Sequence, residues 1–452
     1  MKNIQLLFFM LLLLCISCNK FLDKKPNQKM AVPKTLEHAD LLLNDYTTMN
    51  MSYPVWGSIA SDDYYVDANN WQSLSDPDEK QVYIWSNDDI ISVVQWQNTY
   101  KVIYQANQVL QILKNLDNSR FKDAAYARVK GGAYFFRAFA FHQLAVVHAA
   151  TFTEEGATRS LGIPLRLDPD LDQASFRATL EETYGQIVAD YKEAAALLPI
   201  SETKLGRPAK AAAYAGLARV YLDMQDYMRA YAYSDSALRL NSLIMDFNEL
   251  DPASSQPIAR FNREVLFSAT TAFASILSQT NCRVDSILVK KYLPGDLRKG
   301  VFFQAASENN NSYLFKGSYD GSDGGIFVGL TTVENLLIHA ESAVRIGKTA
   351  EALSSLNKLL ENRWSQGEFS PVTENNVDNL LQIILLERRK ELLFKGLRWA
   401  DLKRLNLDQR FKTPLTRTIS NLTYKLEPNS LKYAVKIPKK VIDYSGMSQN
   451  PR

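Results

Sequence analysis

Leu217-Ala218-Arg219-Val220-Tyr221, followed by Asp226-Tyr227, Ala230 and Ala237-Leu238, is the stretch on which the fold turns. Small residues recur at Ala218, Ala230 and Ala237, 12 and then 7 positions apart. Two helices joined by a short turn need such residues, because the separation of packed helices is set by the side chains between them. The same offsets return at Ala340, Ala352 and Leu359, around the turn Ile346-Gly347-Lys348. One match could be chance, but two with identical offsets mark a repeat. Gly206-Arg207-Pro208, just before the first copy, fits a helix start with proline in the first turn.

The spacing is that of the tetratricopeptide unit. Upstream, Tyr126 to Leu144 carries Ala133, Phe136, Ala140 and Leu144 along one side and predicts a first helix. Leu180 to Leu198, stopped by Pro199, predicts its partner. An insertion containing Gly156, Gly162-Ile163-Pro164 and Asp168-Pro169 separates them. Trp96 to Leu113 predicts a further helix, apolar at Val102, Ile103, Ala106, Val109, Leu110 and Leu113. Residues 53–87 and 251–329 do not read as helix. The second of these holds the strand-like runs Val265-Leu266-Phe267 and Tyr313-Leu314-Phe315, and a glycine-rich loop from Gly317 to Gly325. Long structureless loops in a compact domain are usually functional or disordered. The expected fold is mainly α: a tetratricopeptide-like helical repeat scaffold whose irregular and short-strand insertions form a ligand-binding face.

Met1-Lys2-Asn3 precedes an uncharged apolar run from Leu6 to Ile16. The run is short of the roughly 20 residues that span a bilayer, and reads as a signal peptide over 1–17. Ser17 directly before Cys18 suits processing in which Cys18 is acylated and becomes the first mature residue. Two or three acyl chains, at about 0.8 kcal/mol per buried methylene, anchor a protein almost permanently without spanning the membrane. Residues 18–33 then form a lipidated tether, and 34–452 a single domain. Within it lie an aromatic-rich part over 34–125, repeat units within 126–240 and 331–362, the loop-rich insertion 251–329 and a C-terminal block 377–452. With Cys15 removed and Cys18 acylated, Cys282 alone remains, so neither an intramolecular disulfide nor a cysteine metal site is expected. A net charge of +3 gives no reason to expect nucleic acid.

The C-terminal block carries the most specific signal. Leu380, Leu381, Ile384 and Leu385 mark a buried helix face, and its stripe continues through Arg388, Glu391 and Leu392. Charges in phase with an apolar stripe must be paired, because an unpaired buried charge costs several kcal/mol. Arg388 and Glu391, one turn apart, are expected to pair directly, with Arg398, Trp399, Asp401 and Arg404 supplying further partners. Glu387-Arg388-Arg389-Lys390-Glu391-Leu392, then Gly396-Leu397-Arg398-Trp399-Ala400-Asp401-Leu402-Lys403-Arg404, resembles the C-terminal hallmark of the SusD/RagB family of Bacteroidetes lipoproteins. Cys18-Asn19-Lys20-Phe21-Leu22-Asp23 with Pro26 is similar to that family's mature start. The repeat after Gly206-Arg207-Pro208 is similar to its central unit, and Trp96, Tyr100 and Ala106-Asn107 to its first long helix. The resemblance implies an outer-membrane lipoprotein facing the cell exterior. Such a protein sits as a lid on a SusC-type TonB-dependent transporter and captures glycans or, in some members, peptides. Two departures stand out: the chain is shorter than many glycan-binding members, and Ala400 replaces a larger residue at a structural position.

Catalytic signatures are absent. His38, His142, His148 and His339 form no i, i+4 pair, so no zinc site is expected. Neither a G-x-S-x-G elbow nor a Walker lysine occurs. Asp62-Asp63 and Asp88-Asp89 are neighbours on the chain, whereas a glycosidase needs two carboxylates across a cleft. The expectation is a binding protein without a cofactor; a loose Ca²⁺ site at Asp320 or Asp323 stays open. Sugar rings stack their C–H faces on Tyr or Trp, and their hydroxyls need Asp, Asn, Gln or Arg. Asp62-Asp63-Tyr64-Tyr65-Val66-Asp67-Ala68-Asn69-Asn70-Trp71 holds both kinds. Tyr64, Tyr65, Asp67 and Trp71 are therefore the candidate ligand residues, with Tyr319 across the cleft; the competing role for each is to anchor its loop to the core. The same equipment serves peptides, and a plain tetratricopeptide scaffold for another protein is the third reading.

Overall fold

The computed structural model describes residues 33–452 except 52, 118, 120–122 and 307–308. The signal segment, Cys18 and the tether up to residue 32 lie outside the described residues.

The longer helices are α1 (Leu36–Leu43), α2 (Val94–Lys114), α3 (Ala124–His148), α4 (Leu180–Leu197) and α5 (Lys210–Asp223). They are followed by α6 (Tyr227–Leu240), α7 (Thr332–Arg345), α8 (Thr349–Glu361), α9 (Val377–Glu391) and α10 (Arg398–Leu405). Each of α2 to α7 packs on the next, and α9 closes on α7, so the scaffold is a helical array. Side-chain caps set several starts: Asp226 opens α6 by accepting from Arg229 N, Thr331 opens α7, and Thr179 with Glu182 forms a capping box on α4. In both repeat copies all three spaced residues are fully buried: Ala218, Ala230 and Ala237, then Ala340, Ala352 and Leu359. The turns match as well. Gln225 (φ 61°) and Gly347 (φ 80°) hold the left-handed backbone seven residues after the first alanine of each copy. The helix pairs α5–α6 and α7–α8 are thus the two repeat units.

Helix α3 is the centre. Phe135, Phe136 and Phe139 are fully buried, and Phe267 meets all three edge-on, with centroid distances of 4.7, 5.5 and 5.0 Å. A helix apolar all round belongs inside a core, and losing one such ring costs about 3–5 kcal/mol.

Residues 53–87 correct the sequence reading, since they hold the short helices Trp56–Ala60, Ala68–Ser73 and Pro77–Tyr83. Helices this short show no 3.6-residue pattern and do not persist alone. Local caps and distant contacts define them: Asp67 accepts from Asn70 N, and Asp76 from Asp78 N. Strand β1 (Tyr64–Val66) pairs with β2 (Cys282–Val284), with Tyr65 opposite Arg283. This antiparallel pair joins the two irregular regions.

The C-terminal block closes the fold with buried ion pairs. Glu391 does not pair with Arg388 as its spacing suggests. It binds Arg363 (2.9 Å) and Arg298 (3.4 Å), both from other segments. Arg388 turns to Asp401 (2.9 Å), which also holds Arg404 (2.7 Å), and Arg404 reaches Glu341 at 2.8 Å. Two side chains on one helical turn can pair only where nothing better faces them, and here facing segments offer bidentate partners. Glu387 binds Arg298 (2.6 Å), and Arg398 binds Asp62 (2.6 Å). Trp399 donates from Nε1 to Tyr433 O and lies against Gly57, where a Cβ would meet its ring at 3.2 Å. Ala400 borders a cavity of about 10 Å³ beside Phe152 and Tyr184.

Candidate functional site

The expected ligand residues do not share one fate. Tyr64 is buried at 4% exposure, its hydroxyl donates to Ile59 O, and its ring lies 5.6 Å from that of Tyr83. Burial raises its phenol well above the ordinary range. Tyr319 is buried at 1%; its hydroxyl donates to Glu264, and Lys395 Nζ stands 3.4 Å from its ring centroid. Neither Tyr64 nor Tyr319 can stack on a ligand, and both are withdrawn as binding residues. The physical reason is alternation: on β1 the burial pattern is buried, exposed, buried, so Tyr64 and Val66 face the core and Tyr65 faces out.

Tyr65 is 39% exposed, and Trp71 is half-buried with Lys80 Nζ 5.7 Å from its ring centroid. Asp67 is exposed and spends one carboxylate oxygen on the cap of Ala68–Ser73. Phe273, which the sequence reading passed over, is 67% exposed. A Cβ at Gly324 would lie 2.4 Å from the Phe273 ring, and Gly324 has φ +77°. Only glycine there lets the loop pass so close to the ring.

These side chains sit on short segments that are tied down by side chain to backbone bonds. Glu79 accepts from Ser275 N (2.9 Å) and Ile276 N (2.8 Å). Asn70 Nδ2 donates to Thr280 O (3.3 Å), and Asn281 Nδ2 to Ser275 O (2.8 Å). Asp323 accepts from Gln279 N at 2.7 Å, and Gln279 Nε2 donates to Phe315 O. Segments 64–83, 273–284 and 315–325 are therefore braced against one another, and between them they carry Tyr65, Trp71 and Phe273. Fixed aromatic faces bind at low ordering cost, because the loops are already held.

The carboxylates nearby have structural partners. Burial alone would raise the Asp62 carboxyl, but Arg398 and Arg389 outweigh it and hold it well below the carboxylate range. Asp63, enclosed and next to that charge, is pushed up to about 7 by burial first and by Asp62 second. Asp89 pairs with Lys436 at 2.8 Å. Asp320 accepts from the Ser318 hydroxyl at 2.6 Å, within its own loop. Among the described residues no group of three or more His, Cys, Asp or Glu converges as metal ligands do. His142 contacts Asp223, His148 the Val435 carbonyl and His339 the Ser355 hydroxyl.

Comparison with known proteins places this geometry. Residues 20–222 match a SusD-like family model described as starch-binding, associating with the outer membrane, and residues 332–451 match the SusD family model. The chain is 23% identical to SusD-like protein P2 of Formosa agariphila, over 90% of this chain and 91% of that one. Its fold matches a SusD superfamily protein from Bacteroides thetaiotaomicron with TM-score 0.73 and 23% identity, covering 92% of this chain and all of the other. It also matches surface glycan-binding protein A from Bacteroides uniformis with TM-score 0.70 and 16% identity, covering 92% and 98%. Among the described residues no helix is long and apolar enough to cross a membrane. Two SusD family matches, which between them take in most of the sequence, mean that the chain belongs to the SusD/RagB family.

Proposed function

We propose that the protein is a cell-surface nutrient-binding lipoprotein, anchored in the outer membrane through Cys18. It captures a glycan and passes it to a SusC-type TonB-dependent transporter. The observation that carries this reading is the braced face with Tyr65, Trp71 and Phe273: aromatic surface held out on cross-linked loops, beside Asp67 and Asn69, which offer acceptors and donors to hydroxyls. Relatives described as glycan-binding support the ligand class. No turnover step is assigned, because Asp62 and Asp89 are held by cations.

The test is a glycan array on the mature protein, followed by calorimetry on each hit with the Tyr65→Ala/Trp71→Ala/Phe273→Ala variant. Loss of binding with an unchanged melting temperature is expected. Unchanged affinity for every recognised ligand would remove this face as the site. Pull-down from native outer membranes should bring a large β-barrel transporter, and its absence would break the transport reading. Binding to peptides alone would move the ligand class to peptide.

A further inference from the structure

Helix α2 turns Val102, Ile103, Ala106 and Val109 into the core, while another side borders two adjoining cavities. One, of about 570 Å³, is walled by Gln111, Lys114, Tyr126, Lys130 and Tyr134. The other, of about 530 Å³, is walled by Trp96, Tyr100, Tyr104, Leu171 and Met447. They share Asn107 and Asp168, so they form one trough beneath the insertion that follows Pro164. From Trp96 to Lys114 it runs about 27 Å, at 1.5 Å per helical residue. That length suits a chain of several units rather than a single small molecule.

The floor is fixed in advance. Asn107 accepts from Arg137 Nη1 (2.8 Å) and donates to Arg166 O (2.9 Å), which ties the insertion to the helix. Arg137 in turn holds Asp190 in two bonds of 2.7 Å. Tyr100 donates to Pro164 O at 2.8 Å. Trp96, Tyr100 and Tyr104 stand four residues apart on one helix face, with Trp96 buried behind the two half-buried tyrosine rings.

The charge on the walls is one-sided. Lys101, Lys114, Lys130, Arg137 and Arg166 line the cavities against one carboxylate, Asp168. Asp190 neutralises Arg137. Lys114 and Lys130 have no carboxylate within ion-pair distance among the described residues, and Lys130 lies 5.8 Å from the Tyr126 ring centroid. Lys114 is exposed and Lys130 half-buried, and two such ammonium groups on the same wall as Tyr126 and Tyr134, with no carboxylate to balance them, favour an anionic occupant.

From this we infer that the trough along α2 is a second saccharide site, separate from the braced loop face, and that it takes an acidic oligosaccharide. Tyrosine rings meet the sugar faces, while Lys114 and Lys130 meet carboxylate or sulfate groups. The saccharide class rests on the function proposed above; the site and its charge preference rest on the trough itself.

Calorimetry on the mature protein with oligogalacturonate, oligomannuronate and chondroitin sulfate fragments, against maltohexaose, tests it. At least one acidic oligomer should bind saturably and weaken as salt rises. Lys114→Ala with Lys130→Ala should lower that affinity about tenfold, as the loss of two solvent-screened ion pairs would. Tyr65→Ala with Phe273→Ala should leave it unchanged, which separates a failure here from a failure of the loop face. No binding of any acidic fragment, or binding that survives the double lysine substitution, overturns the site. Tighter, lysine-dependent binding of oligoglutamate overturns the saccharide class. The melting temperature of the lysine variant controls for folding.

Discussion

Tyr319 and Tyr65 are the same residue in the two irregular regions of one chain, and they end in opposite places. Tyr319 is enclosed, with Glu264 on its hydroxyl and Lys395 over its ring. Tyr65 stands 39% exposed on β1, while its neighbours on that strand face inward. The C-terminal block and the braced loop face divide in the same way. In the first, most charges find partners from distant segments, as Glu391 does with Arg363 and Arg298. In the second, pairing is spent on the backbone of the loops, and the rings of Tyr65 and Phe273 stay exposed. Architecture consumes its polar groups, whereas a binding face spends them on holding itself still.

The sharpest way to break this contrast is to remove Glu391. Its carboxylate is fully buried between two guanidinium groups, so Glu391→Gln leaves Arg298 and Arg363 short of charge. The expected loss is about 3–5 kcal/mol in urea unfolding. A loss under about 1 kcal/mol would mean that the block is not what closes the fold. Acid should act in the same place. Burial would raise Glu341, Glu391 and Asp401, but the arginines beside them outweigh it and hold all three below their ordinary values. The unfolded chain therefore takes up protons first as pH falls. Their contribution is fully present at neutral pH and is lost as pH drops below about 4.5. Urea unfolding across that range should show a shallower pH slope for Glu341→Gln than for the parent; an equal slope would remove Glu341 from the acid-sensitive set.

What could be read in advance depends on how local the cause is. Ala218, Ala230, Ala237 and their second copy were legible because helix pairing imposes fixed offsets on one stretch of chain. That charges in phase with Leu380 and Ile384 must be paired was legible too, since burial alone demands it. Asp401, named as a partner from within the block, does hold Arg388 and Arg404; the distant partners were not legible, because Arg363, Arg298 and Glu341 come from segments with no pattern linking them to Glu391 or Arg404. On the candidate face, residue type was visible but orientation was not. Tyr64 and Tyr65 differ only by the strand's alternation, and the strand exists because Cys282–Val284 pairs with it. Phe273 gave no signal beyond being aromatic, for the close approach of Gly324 to its ring comes from another loop. The trough did leave a trace, in Trp96, Tyr100 and Tyr104 spaced by four, hidden beside the stronger apolar stripe of the same helix.

The contrast between the two tyrosines is sharpest when both are changed. Tyr319→Phe keeps the ring under Lys395 but takes one donor from Glu264, which retains Arg363 and Met245 N. A hydrogen bond to a charged group contributes about 1.5–3 kcal/mol, so unfolding should come earlier by that amount while glycan affinity stays unchanged. Tyr65→Ala removes an exposed ring that nothing encloses. Substitutions of that kind shift stability by less than about 0.5 kcal/mol, so its whole effect should appear in calorimetry with the array-identified glycan. If Tyr319→Phe weakens binding as much as Tyr65→Ala does, the enclosed ring is sensed through the loop that carries it. The braced face would then extend down to Glu264 and into the ion-paired block. If Tyr65→Ala instead costs stability and leaves binding intact, the exposed ring belongs to the architecture after all. The division between a consumed core and a free face would then have to be drawn elsewhere, with Phe273 and Trp71 alone on the ligand side.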